Sequence, residues 1–340
     1  MFRGIALYTN SVTQNNTSKK TLLILTALVF TGAVFWISLC VGRYPLTLQA
    51  LLEGDASAVN VFLTLRLPRT IMALTAGFGL GAAGMIYQMI FKNPLASPDI
   101  IGVSSGASTG AAAAILFFHA SPSGITASAF AGGLAAVFLS LTLSRLSGQK
   151  NLSSLVLSGI AVNALAQAVL MALKFTADPE RELASIEYWI MGSLGSVTAS
   201  RLPLPCMIVL LGIAALAVFY RQILFLTLDE DEARMLGTPV TLLRLLILTA
   251  ATLIVASIVS VTGLISFAGL LAPHAARLLT KDYRLSTLLL SGILGGALLL
   301  TADIVARSAA SGEMPVSILT SILGAPFLLW LIWKGERTWD

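Results

Sequence analysis

The chain has 340 residues, of which 56% are hydrophobic and only 11% charged, and its formal net charge is +5. A soluble domain carries about 25% charged residues, so a water-facing surface of this size is excluded and lipid must be the outer solvent. Basic residues stand singly between apolar runs, which is a pattern of membrane topology and not of a phosphate-binding patch, so no nucleic-acid partner is expected.

Residues 1–20 are polar, end in Lys19-Lys20 and are expected to form a cytoplasmic N-terminal tail. The apolar run from Thr21 to Val41 is too long for a signal-peptide core and lacks a small-x-small closure, so it reads as a first, retained span. A transmembrane helix needs roughly 20 mostly apolar residues. By that measure ten spans follow one another near residues 21–42, 70–91, 100–118, 125–146, 152–173, 203–222, 241–262, 264–280, 286–306 and 316–333. Runs of this length exceed what a barrel strand requires, so the fold class is an all-α polytopic membrane protein. With the N-terminus inside, Arg43, Arg66, Arg69, Lys174, Arg181, Arg201 and Arg307 fall outside. The other 14 of the 21 Lys and Arg residues fall in the cytoplasm, which supports an N-in, C-in orientation.

Reactive chemistry has little to work with. Cys40 and Cys206 lie in or beside apolar segments without metal-like spacing and read as small packing residues. Two histidines, His119 and His274, do not make a His-rich metal site, and no metal or cofactor is expected. Gly79-x-Gly81-x-x-Gly84 matches a dinucleotide fingerprint but lies inside an apolar span with no strand before it. Gly102-x-Ser104-x-Gly106 matches a nucleophile elbow with the same defect and no acid–histidine partners. No G-x-x-x-x-G-K-[ST] run exists, so the chain does not bind ATP in that manner. Gly77, Gly81, Gly84, Gly292, Gly295 and Gly296 suit close helix packing.

Four stretches stand out. Arg66-Leu-Pro-Arg69 places two arginines at the outer face, against the positive-inside trend; Pro68 is expected to open a helix. Arginine there suits carboxylate pairing or lipid headgroups. Asp303 and Arg307, four residues apart near the outer end of span nine, suggest an intrahelical pair that leaves Arg307 partly available outward. The run Leu228 to Gly237 is the longest charged stretch on the inner side. Ala233, Leu236 and Met235 there form a small apolar face on a short helix stopped by Gly237, a surface for a docking protein or an ordinary solvated loop. Prolines break the spans: Asn93-Pro94 to Pro98 forms an inner turn, Pro273-His274-x-x-Arg277 interrupts span eight, and Gly324-Ala-Pro326 interrupts span ten. Such breaks free carbonyls that must be buried or face water.

Read together, these blocks resemble the FecCD-type (BtuC-like) permease subunits of bacterial ABC importers for iron-siderophores, haem and vitamin B12. The matching runs are Arg66-Leu-Pro-Arg69, Gln88-x4-Asn93-Pro-Leu-Ala-x-Pro98, Gly102-Val-Ser-x-Gly-Ala107 and Ala233-x-x-Leu-Gly237. They continue with Ile265-Ser-Phe-x-Gly-Leu270, Ala272-Pro-His-x-x-Arg277, Ala302-Asp-x-x-Ala-Arg307 and Glu313-Met-Pro-Val316 to Gly324-Ala-Pro326, all in family order. The resemblance implies a type II ABC importer permease fold, a ten-helix permease domain over 21–335 and a cytoplasmic coupling segment at 225–240. It also implies a second permease subunit, identical or homologous, a cytoplasmic ABC ATPase dimer, a periplasmic or extracellular substrate-binding protein, and a metal-chelate cargo, ferric siderophore first. The setting implied is the bacterial cytoplasmic membrane. By the same resemblance Arg66, Arg69 and Arg307 receive the binding protein. Asp229, Glu230, Glu232, Ala233, Arg234, Leu236 and Gly237 meet the ATPase, and Asn151, Ser153 and Ser154 belong to the inner gate. The chain departs from the family pattern at Asp229, Ala268, Ser317, Leu328 and the run Lys281 to Arg284, none of which removes a charged contact. The rivals are an ion-coupled secondary transporter, which predicts several buried ionisable residues where Asp303 is almost alone, and a membrane enzyme, which lacks a polar catalytic cluster.

Overall fold

Apolar runs of this length satisfy their backbone groups internally only as helices, and the chain does so. The computed structural model describes residues 2–42, 44, 46–147, 152–309 and 312–335, with no strand among them. In chain order the helices are α1 (Phe2–Cys40), α2 (Leu48–Leu52), α3 (Ala56–Val61), α4 (Leu67–Ile90), α5 (Val103–Phe118), α6 (Pro122–Leu146), α7 (Leu152–Thr176) and α8 (Ala184–Met191). They continue with α9 (Pro203–Val218), α10 (Tyr220–Phe225), α11 (Glu230–Met235), α12 (Val240–Thr262), α13 (Ala268–Thr280), α14 (Leu285–Ser308) and α15 (Val316–Gly335). Among the described residues six stretches are long and apolar enough to cross a membrane: Lys19–Cys40, Ala56–Ile90, Pro122–Leu146, Leu152–Thr176, Val240–Thr262 and Leu285–Ser308. Helices α5 and α9 and the Val316–Leu331 part of α15 are apolar but shorter.

The centre of the bundle is α4, buried along nearly its whole length and packed most extensively on α14. Glycines make that packing possible. A Cβ on Gly77 would fall on the carbonyl of Gly295, so the two backbones touch. Ser291 adds a hydrogen bond of 2.7 Å to the carbonyl of Gly81. Tyr87, fully buried, bonds Thr252 of α12 at 2.8 Å.

The structure corrects the expected breaks. Pro68 falls in the first turn of α4, as expected, but the helix does not start afresh there. The chain is helical from Ala56 to Ile90, with a π-turn at Phe62–Arg66 just before Pro68. The Leu67 N–H reaches back five residues to the Phe62 carbonyl, a widening that gives the proline ring room. Pro273 and Pro326 likewise lie inside continuous helices and interrupt neither. What is irregular in the eighth segment is its start, since residues 263–267 are not helical and α13 begins only at Ala268. Pro273 has no N–H, so the carbonyl of Gly269, four residues earlier, loses its helical donor. Gly84 of α4 sits directly on that carbonyl, at a place where any Cβ would overlap it. The proline and the glycine explain each other: one frees a carbonyl and the other covers it with backbone.

Candidate functional site

Helix α4, 24 residues and about 36 Å long, separates two polar ends of the bundle. At its N-terminal end lies a cluster of three arginines and two carboxylates drawn from distant parts of the chain. Arg66 donates to the carbonyls of Leu39 (2.9 Å), Cys40 (2.7 Å) and Tyr44 (2.6 Å). Arg69 donates through Nε to Asp303 and through a terminal nitrogen to Glu313, each at 2.8 Å. Arg307 donates to the carbonyl (2.8 Å) and hydroxyl (2.6 Å) of Ser38, and its Nε lies 3.5 Å from Asp303. The expected Asp303–Arg307 pair is therefore present but long. The outward availability expected of Arg307 is not found, because all three arginines are buried in this chain. Asp303 is wholly buried, and such a carboxylate is tolerable only with paired charge. The cluster ties α1, α4, α14 and the segment before α15, and a cavity of about 220 Å³ opens beside it, bordered by Tyr44, Arg66, Arg69, Arg307 and Glu313.

The opposite end carries the charged run. Helix α11 is one and a half turns long, and Gly237, at φ +75°, closes it by donating to the Arg234 carbonyl while Thr238 donates to that of Ala233. The short helix stopped by glycine is thus present, but its apolar residues do not share one face. Ala233 is buried against the bundle, whereas Met235 (87% exposed) and Leu236 (61% exposed) point away. Ion pairs hold the helix in place. Lys92, in the turn after α4, meets Asp229 at 3.2 Å, and Glu230 lies between Arg234 (3.0 Å) and Arg244 of α12 (3.7 Å). Glu232 lies exposed on the same helix.

The turn containing Asn93 and Pro94 lies at this end. The Asn93 side chain accepts from the Leu95 N–H at 2.9 Å, and Pro98 opens a 3₁₀ turn. Arg277 reaches Gln88 at 2.5 Å and stacks over the Tyr283 ring, while His274 meets Phe327 edge-on beside Pro326 in α15. Of the expected gate residues, Asn151 lies outside the described residues. Ser153 is exposed at the start of α7, and Ser154 bonds Ser147, at the end of α6, at 2.5 Å.

Several functional groups escape sequence reasoning. Glu313 is assigned no partner there, although an acidic residue six positions after Arg307 is a usable signal. Lys20 pairs with Asp282 in the α13–α14 turn, and Asp282 also accepts from Thr287 at 2.5 Å. Burial pushes the Asp282 carboxyl up, but bonds from Lys20, Thr287 and the Arg284 N–H outweigh it and hold the group below the ordinary carboxylate value. A cavity of about 690 Å³, bordered by His119, Glu180, Tyr188, Trp189 and Thr262, lies where α5, α8 and α12 approach. No group of three or more metal-ligating side chains occurs among the described residues.

Comparison with known proteins agrees with this arrangement. The FecCD transport family model matches residues 25–334. The chain is 36% identical to the cobalamin import system permease protein BtuC of Halobacterium salinarum, over 91% of this chain and 82% of that one. It is 35% identical to the molybdate import system permease protein MolB of Haemophilus influenzae, over 95% and 98% of the two chains. A solved structure described as an inward-facing conformation of a metal-chelate type ABC transporter superposes with a TM-score of 0.85 at 34% identity, covering 92% of this chain and 99% of that one. With nearly its whole length matched, the chain belongs to the FecCD transport family.

Proposed function

We propose that this chain is the membrane-embedded permease subunit of an ABC importer that carries a metal chelate inward, with ATP hydrolysis performed by a separate partner. One observation carries this reading. The two polar ends of α4 are built for different partners, a socket of guanidiniums at one and a braced helix with exposed Met235 and Leu236 at the other. In this reading the arginine end faces outward and the α11 end faces the cytoplasm. The N-in, C-in orientation and ten crossings follow, with α1, α4, α5, α6, α7, α9, α12, α13, α14 and α15 as the crossing helices and the bacterial cytoplasmic membrane as the setting.

Helix α11 is the coupling element for the ATPase dimer. Its ion pairs to Lys92 and Arg244 make it move with the ends of α4 and α12, so a displacement by the motor passes into the bundle. Substrate leaves past the start of α7, which carries Ser153 and Ser154, against a second permease subunit. Arg66, Arg69 and Arg307 receive carboxylates of the external binding protein, each guanidinium keeping its internal anchor. Relatives named for cobalamin and for molybdate differ so much in cargo that selection rests largely with the binding protein; a ferric siderophore is the first cargo to test. A cysteine at position 235 should cross-link to the ATPase in the assembled transporter, and Arg69→Met should weaken capture of the binding protein. An assembly that forms normally with Met235→Asp and Leu236→Asp together would remove the coupling assignment.

A further inference from the structure

The arginine cluster is charge-imbalanced and unequally held. Three guanidiniums face two carboxylates, and the two carboxylates differ. Asp303 is wholly buried in α14 and takes the Nε of Arg69. Glu313 lies among the non-helical residues 312–315 before α15, its side chain is 38% exposed, and it takes only the terminal nitrogen of the same arginine. Asp303 therefore aims the guanidinium, and Glu313 caps the part of it that borders the 220 Å³ cavity. Among the described residues the other two arginines meet backbone carbonyls, Ser38 and Asp303, and neither pairs with Glu313 within 4 Å.

We infer that Glu313 is a resident counter-carboxylate that occupies the Arg69 site in the undocked chain and is displaced when a carboxylate of the binding protein enters the cavity. The inference rests on the docking role proposed for the arginines and adds to it a competitor built into the permease. A planar guanidinium held at Nε still offers the terminal pair of N–H groups that suits an incoming carboxylate. Leaving its seat is easy for Glu313, which is partly exposed and outside any helix, and not for Asp303, which would have to strand two buried guanidiniums. Exchange of one carboxylate for another keeps the charge of the cluster constant, so docking need not bury a new unpaired charge. It also makes docking reversible, because the resident group returns as the partner leaves.

The seat of Glu313 supplies an independent lever. Its carboxylate lies against the backbone of Gly195, where an added Cβ would overlap it, and Gly195 has no left-handed φ. Gly195→Ala therefore evicts the carboxylate without altering any charge. The full transporter, permease with its ATPase in nanodiscs, is titrated with its own binding protein at low and high salt. Glu313→Gln and Gly195→Ala should each tighten binding, by about two- to fivefold, the range set by a partly exposed ion pair. Arg69→Met should weaken it, and Glu313→Gln should then give no further change. Tighter binding in both single variants supports the inference; unchanged or weaker binding in folded Glu313→Gln and Gly195→Ala overturns it, while the arginine reading survives if Arg69→Met still weakens docking. Unchanged binding in all three variants, Arg69→Met included, overturns both.

Discussion

Replacing Asp303 by asparagine should be among the most damaging conservative changes in this chain. The residue is wholly buried, lies 2.8 Å from the Nε of Arg69 and 3.5 Å from that of Arg307, and is the fixed counter-charge for both. Asparagine keeps the shape and one hydrogen-bond acceptor but leaves Glu313 as the sole carboxylate facing three guanidiniums. Removing one partner of a buried pair costs about 3–5 kcal/mol, and a retained neutral hydrogen bond offsets about 1 kcal/mol of that. The net loss should be about 2–4 kcal/mol, with Arg69 and Arg307 both released and the joint between α1, α4 and α14 loosened. Unfolding in mixed detergent–SDS micelles, followed by far-UV circular dichroism, measures it. Adding Arg307→Met to Asp303→Asn should restore part of the loss, because it removes a stranded charge. A variant within about 0.5 kcal/mol of the parent, the size of an ordinary surface change, would refute the view that Asp303 anchors the cluster.

Gly84→Val places a side chain on the Gly269 carbonyl and should destabilise by about 2–3 kcal/mol, read in the same unfolding assay. The exposed pair Met235→Asp and Leu236→Asp should change unfolding by less than about 1 kcal/mol yet abolish co-purification with the ATPase. The Asp282 carboxyl is held low in the folded chain, so its contribution is present above the unfolded aspartate value of about 3.9 and is lost only as pH falls through the lower folded value. Hydrogen exchange in the α13–α14 turn should therefore stay slow at about pH 5 in the parent, become fast as the pH falls below that range, and be fast throughout in Asp282→Asn.

How much of this was legible in the sequence differs by level. Apolar run length locates the helices, because in lipid the backbone has no other way to satisfy itself; six of the ten expected segments fall on helices long and apolar enough to cross a membrane, and the other four on shorter ones. The prolines mislead because their effect depends on a partner. Pro273 breaks nothing when Gly84, 189 residues earlier, covers the carbonyl it frees, and Pro68 is absorbed by a π-turn. Four charged residues of the arginine cluster invite attention in the sequence by their type and place, yet their roles turn on tertiary pairing. Arg69 meets Asp303 across 234 positions, and Arg307 turns inward to Ser38 across 269. No local pattern encodes such distances. Glu313 is hard to read because Gly312-Glu313-Met314-Pro315 holds no charge to pair with it, and only Arg307, six positions earlier, hints at a counter-charge. Lys20, assigned to a tail, instead lies in α1 and staples the α13–α14 turn.

The central claim is that the passage is powered from outside the chain. The most direct measurement is uptake of a radiolabelled ferric siderophore into proteoliposomes holding the permease, with its ATPase and binding protein supplied or withheld, under ATP or under an imposed proton or sodium gradient. The account predicts uptake only when ATP, ATPase and binding protein are all present, with no response to either gradient. Uptake by the permease alone, driven by an ion gradient, would contradict it.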